Sequence, residues 1–365
     1  MPTIKSAVPL VLAIAIVSLA AGQERGQSDP LAVGATSRRF IPPEPYSWRG
    51  AETHALVTTI WYPARAGTLM AEHHVGPPAA PLFTLGRWAD DGPMLEGRFP
   101  LVTLSHGTGG SAEIMSWLAR DLASRGYIVV GVNHPGNNAV EPYTAEGFML
   151  WWERARDVSA VIDLVLADPP IGPHIDANRI GAMGFSLGGY TVLVLAGART
   201  DPSLRQRFCA SAAAEGCADP PEFPNLSGRW TVLLSGSAEL QKRMEEAGHS
   251  YRDKRIRAAF AIAPALGPAL IPASLTQLDV PIEIVAGQDD DVVPLRSNAR
   301  SLAEAIPRAN LTLVPGGHYT FLAACTDAGR TEQPMLCTDP ARVNREDTHR
   351  RSSELAAAFF GRSLK

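Results

Sequence analysis

Gly184-Phe185-Ser186-Leu187-Gly188-Gly189 is the segment of this chain whose residue types could do covalent chemistry. It matches G-x-S-x-G. A short apolar run, Ile180 to Phe185, leads into it, and a helix-like run, Tyr190 to Ala198, leads out. A strand, a tight turn carrying a serine, and a helix make a nucleophile elbow. Glycines at 184 and 188 suit such a turn, where a β-carbon would crowd the neighbouring strand or helix. The turn lifts the Ser186 hydroxyl clear of a sheet. It also aims a helix N-terminus at the oxygen that becomes negative during acyl transfer.

A serine hydroxyl is a poor nucleophile until a base takes its proton, and the base needs an orienting acid. After an elbow of this kind the acid comes first in the chain and the histidine second. Gly287-Gln288-Asp289-Asp290-Asp291-Val292-Val293-Pro294 follows a strand-like run, Ile282 to Ala286. Gly316-Gly317-His318-Tyr319 follows another, Leu311 to Val314. His318 is the expected base, because it lies just past a strand in a glycine-preceded turn. His349 also lies beyond the acid, but in a charged stretch. Asp290 is the expected acid. Asp289 and Asp291 compete with it, and at most one of the three can face the histidine. The oxyanion needs two N–H donors. These are expected from Leu187, the residue after the nucleophile, and from Thr108 in the loop His106-Gly107-Thr108-Gly109-Gly110. His106 reads as a scaffold hydrogen-bonder. His73-His74 lacks an evident third ligand for a metal, and the chemistry requires neither metal nor cofactor. His54, His134, His174 and His249 read as surface or structural residues.

Those residues need a scaffold that brings strand ends together. The runs Pro100 to Ser105, Tyr127 to Asn133 and Ile180 to Phe185 look like buried parallel strands. They alternate with helical patterns at Ser111 to Ser124 and Phe148 to Ala167, which indicates an α/β fold with a doubly wound sheet. Two further strands are expected over Ala32 to Ile41 and Ala55 to Tyr62. Residues 64–98 are rich in Pro, Gly and Ala and read as a long surface loop. The rhythm breaks over 199–255 and resumes with a strand at Ile256 to Ala263. The expected organisation is therefore a catalytic domain over 24–198 and 256–365, with 199–255 inserted as a cap. A helix near Ser352 to Phe360 closes the chain.

The chain has 365 residues, 45% of them hydrophobic, and a formal net charge of -4. So small a charge implies no polyanionic partner, and no nucleic-acid role is expected. Residues 1–23 read as a secretory signal. Lys5 precedes the apolar run Ala7 to Leu19, which is short for a membrane span, and Ser18-Leu19-Ala20 offers a cleavage site. The expected location is secreted or periplasmic, without a stable membrane span after cleavage. Four cysteines in an exported chain suggest two disulfides, expected locally as Cys209 with Cys217 and Cys325 with Cys337.

Five segments together resemble the α/β-hydrolase superfamily: Thr59-Ile60-Trp61-Tyr62-Pro63, Leu104 to Gly110, Asn133-His134-Pro135-Gly136, Gly184 to Gly189 and Gly317-His318-Tyr319. Within it the chain is similar to dienelactone hydrolase-like bacterial proteins and to platelet-activating-factor acetylhydrolase (isoform II) esterases. It differs from the former in carrying Ser186 where they carry cysteine, and from the latter in carrying Phe185 where histidine is common. The resemblance implies a mostly parallel, eight-stranded sheet. It also implies a small-molecule or lipid ester as substrate: short-acyl esters, short sn-2 acyl phospholipids or polyester fragments. A peptidase or amidase on the same fold, and a non-catalytic binding protein, are the competing readings. Oligomeric state is left open.

Overall fold

The computed structural model describes residues 30–365. The expected secretory signal lies outside the described residues. Eleven strands form one sheet: β1 Val33–Phe40, β2 Leu56–Pro63, β3 Ala71–Val75, β4 Phe83–Asp90, β5 Phe99–Ser105, β6 Ile128–Val132, β7 Ile175–Phe185, β8 Ile256–Ile262, β9 Ile282–Gly287, β10 Ala309–Val314 and β11 Ala324–Cys325. Their order is β10-β9-β8-β7-β5-β6-β2-β1-β4-β11, with β3 paired to β4. β5 to β10 run parallel, and β2 joins them antiparallel through β6.

These parallel strands are buried on both faces, which is why they read as continuous apolar runs and not as alternating ones. β6 and β9 are buried throughout their length. Helices cover the sheet, among them Ser116–Ser124, Arg154–Ala167, Leu187–Ala196 and the C-terminal Arg345–Ser363. The elbow helix, Leu187–Ala196, is buried on every side, so its sequence shows no polar stripe.

Among the described residues the sheet has eleven strands, not eight, and the difference lies mostly in 64–98. That stretch is not a surface loop. β3 and β4 form an antiparallel pair there, and β4 adds to the sheet edge beside β1. Phe83, Leu85, Trp88 and Ala89 are buried. The Pro and Gly residues that suggested a loop sit mostly in the turns between the strands. His73 belongs to β3 and stacks on the Trp88 ring at 3.8 Å.

Residues 199–255 carry three α-helices, Pro202–Cys209, Leu226–Gly236 and Ala238–Glu245. The apolar run Trp230 to Leu234 is part of the second. Disulfides join Cys209 to Cys217 and Cys325 to Cys337. Among the described residues, no helix is long and apolar enough to cross a membrane.

Candidate active site

Ser186 stands between β7 and the elbow helix with φ 55° and ψ −116°, a conformation that L-residues rarely adopt. Three backbone hydrogen bonds hold it there. Its N–H donates to Ile262 O at 2.8 Å, and its carbonyl accepts from Tyr190 and Ala265, each at 3.1 Å. Gly188 permits the turn, because a β-carbon there would lie 1.8 Å from the Ser105 carbonyl oxygen.

The three strand ends expected to meet do meet. His318 Nε2 lies 3.0 Å from Ser186 Oγ, and His318 Nδ1 lies 2.8 Å from Asp290 Oδ2. A carboxylate only accepts, so Nδ1 carries the proton and Nε2 is free to accept from the serine hydroxyl. Asp290 Oδ1 accepts from the Val293 N–H at 2.7 Å, so both carboxylate oxygens are held. The neighbouring acids go elsewhere. Asp289 accepts from Arg342 at 2.6 and 2.7 Å, and Asp291 is exposed. The Phe185 ring packs 4.8 Å from the His318 ring.

Leu187 is the first residue of the elbow helix, so its N–H has no partner in a preceding turn. The loop after β5 crosses close to the serine. A β-carbon on Gly107 would come within 3.3 Å of Ser186 Cβ. Most groups of this loop are already bonded: Gly109 N–H to Asn137 Oδ1 at 2.8 Å, Gly109 O to the Tyr143 hydroxyl at 2.8 Å, and Gly110 N–H to Gly107 O at 3.3 Å. Thr108 N–H donates to none of the described residues.

Three residues at the mouth of the site were missed in the sequence. Glu222, from the 199–255 segment, packs its side chain over Gly109. Burial raises its carboxyl above the usual carboxylate range. Burial also raises the Tyr143 phenol, and it pushes Tyr319 up to about 12. No spacing rule ties Glu222 to an elbow distant in the chain. Asn137, which anchors the loop, follows Asn133-His134-Pro135-Gly136, so the cluster was visible but its use was not.

His349, His106 and His134 are accounted for by packing. His349 is buried, stacks on Trp117 at 4.1 Å, and donates from Nε2 to Thr320 O at 2.9 Å. Burial lowers it to about 4. His106 and His134 are fully enclosed behind the site. Among the described residues, no cluster of His, Cys, Asp or Glu could hold a metal ion.

Residues 99–321, more than half of the chain, match the family model Hydrolase_4, described as serine aminopeptidase, S33. A cutinase of Thermobifida alba (est1) is 30% identical over 102 residues, 27% of this chain and 31% of the cutinase. Lipase 1 of a Moraxella species is 33% identical over 88 residues, 24% of each chain. The matched stretch thus spans less than a third of these relatives' own length. A ferulic acid esterase from Streptomyces cinnamoneus has a similar structure, with a TM-score of 0.60 at 19% identity, covering 92% of this chain and 90% of that one. At that identity the likeness speaks for the fold.

Proposed function

The chain belongs to the serine aminopeptidase S33 family of α/β-hydrolases, and from that premise we propose that it is an exported serine esterase acting on short-acyl carboxylic esters. One observation carries this reading: His318 is hydrogen-bonded at once to Ser186 and to Asp290, in the tautomer a general base needs. Ser186 Oγ attacks the ester carbonyl as His318 Nε2 takes its proton. Leu187 N–H and Thr108 N–H stabilise the oxyanion. His318 then gives the proton to the departing alcohol, leaving an acyl-Ser186 ester. Water, activated by the same nitrogen, releases the acid and restores the serine. Asp290 keeps the imidazole in place and stabilises the transient imidazolium.

Export is supported by the leader-like 1–23 and by two disulfides, which persist in oxidising compartments. The cutinase and lipase matches favour esters, whereas the family's description names an aminopeptidase. We propose that 199–255 acts as a cap, since Glu222 reaches Gly109 from it. Matched p-nitrophenyl butyrate and butyryl p-nitroanilide, given to the wild type and to Ser186→Ala, test the reading. Ester turnover well above anilide turnover, lost in the variant, is the expected result. Anilide turnover at least equal to ester turnover would favour the peptidase reading. Turnover that survives Ser186→Ala would overturn the mechanism.

A further inference from the structure

We propose that His106, clamped by Arg154 and His134, is a positioning residue that aims the Thr108 N–H at the reacting carbonyl. The inference rests on the acyl-transfer reading above and concerns how its oxyanion donor is held.

Gly107 C=O and Thr108 N–H belong to the same planar trans peptide and therefore point in opposite directions. Whatever fixes the carbonyl fixes the N–H. His106 Nδ1 lies 2.7 Å from Gly107 O. A carbonyl only accepts, so Nδ1 carries the proton and His106 Nε2 is an acceptor. The His134 backbone N–H fills that acceptor at 3.1 Å. Arg154 Nη2 also lies 3.4 Å from Nδ1, a longer contact than the 2.7 Å one to Gly107 O, so the two shorter bonds set the tautomer. The opposite tautomer, or an imidazolium, would set an Nε2 proton against the His134 N–H.

The surroundings enforce that state. Arg154, fully buried, donates from Nη2 to the His106 carbonyl at 2.5 Å. Burial first, and then the Arg154 charge, push His106 well below the usual histidine range, so the ring stays neutral. His134 is itself held on both sides. Its Nδ1 donates to Asp157 at 2.8 Å, and its Nε2 accepts from the Ser105 hydroxyl at 2.8 Å. Asp157 is in turn gripped by Arg49 and by the Tyr46 hydroxyl. Buried charges of this kind are a weak device for stability alone, because desolvation offsets most of their attraction. They are a good device for holding one geometry.

The test uses His106→Asn and His106→Leu in the whole protein. The amide nitrogen of Asn falls near the Nδ1 position and keeps a donor to Gly107 O, whereas Leu keeps none. Each variant is measured for kcat and KM on p-nitrophenyl butyrate. Butylboronic acid binding, whose serine adduct places an oxygen at the oxyanion position, is measured alongside. Binding of butyramide, which forms no adduct, is the ground-state control. For His106→Leu we expect kcat to fall about 10²-fold and boronate affinity to weaken in parallel, with KM and butyramide binding within about threefold. His106→Asn should recover at least tenfold of the lost kcat. If His106→Leu does not fold, His106→Gln, which has no donor at the Nδ1 position, replaces it. Folded variants with unchanged kcat and boronate affinity would overturn the positioning role. So would parallel losses in butyramide binding, which mark general collapse of the site, or an Asn variant no better than Leu. A wild type inert to ester and anilide alike would instead overturn the acyl-transfer reading.

Discussion

Ser186–His318–Asp290 and Ser105–His134–Asp157 are the same sequence of hydrogen-bonded groups, built twice in one molecule. The serine–histidine and histidine–aspartate distances are 3.0 and 2.8 Å in the first, and 2.8 and 2.8 Å in the second. Hydrogen-bond geometry does not separate them; their surroundings do. Ser186 sits on a strained turn at a helix N-terminus, and neither the Leu187 N–H nor the Thr108 N–H donates to a described residue. Ser105 ends an ordinary extended strand, and its exposure is 1%, against 6% for Ser186. The His134 ring is fully enclosed, and burial together with Arg154 and Arg49 pushes it well below the usual range. On the proposed reading, one serine–histidine–aspartate array is a reaction centre and the other a scaffold. Access for a carbonyl, and a place for its charge, distinguish the two.

The sharpest break between the arrays should come at the serines. Ser186→Ala is expected to lower kcat by about 10⁴-fold or more with little change in Tm, because alanine fits the turn. Ser105→Ala should keep kcat within about tenfold and instead lower stability by about 1–3 kcal/mol, since His134 Nε2 loses its donor in a buried site. Ester kinetics and urea unfolding on both variants check this. Equal kinetic losses would erase the distinction.

The acids should divide the same way. Asp290→Asn is expected to cost about 10⁴-fold in kcat through the wrong His318 tautomer. Asp289→Asn and Asp291→Asn should stay within a fewfold of wild type, because neither carboxylate reaches His318. Asp157→Asn should act mainly on stability, by about 3–5 kcal/mol, as it breaks a buried pair with Arg49. A dominant kinetic loss at Asp289 or Asp291 would reassign the orienting acid.

Acid sharpens the comparison further. His106, His134 and His349 are held neutral in the fold, each below its unfolded value. For such a group the unfolded chain binds the extra proton, so its stabilising share is present above about pH 6.5 and is lost as pH falls. For His349 the loss runs down to about pH 4. Each histidine contributes a slope of about 1.4 kcal/mol per pH unit in its window. Urea unfolding between pH 7 and 5 should show stability falling with acid. His349→Gln should make the slope shallower by about one proton's worth, and an unchanged slope would contradict the buried neutral state.

The smallest effect concerns the 199–255 segment. Cys209–Cys217 closes a loop whose Gly216 packs beside Pro294, close to the acid loop. Replacing both cysteines with serine should lower stability by about 2–3 kcal/mol. It should alter acyl-length preference across p-nitrophenyl esters from acetate to octanoate more than it alters acetate turnover. An unchanged acyl-length profile would separate this segment from the substrate.

Much of the molecule was legible because it rests on short-range rules. The elbow is a strand, a turn and a helix within a few residues, and β5 to β10 announce themselves as apolar runs between helical patterns. The local disulfides follow from close spacing. By contrast, β3 and β4 were hidden, because the turns around them dominate the composition of 64–98. A partner strand, β1, makes β4 part of the sheet.

Residue types and order in the chain thus pointed to a serine, an acid and a histidine delivered to one crevice. They did not decide which of three consecutive aspartates turns toward His318. That choice depends on Arg342, 53 residues beyond Asp289, which draws Asp289 away, and on the Val293 N–H that holds Asp290. Nor could they reveal that His134, far from Asp157 in kind of segment, forms a second array behind the first. Local patterns specify backbone conformation, because their causes lie within a few residues. Partner choice among buried polar groups is decided by packing across the sheet, where each donor must find an acceptor and only the folded chain brings them together.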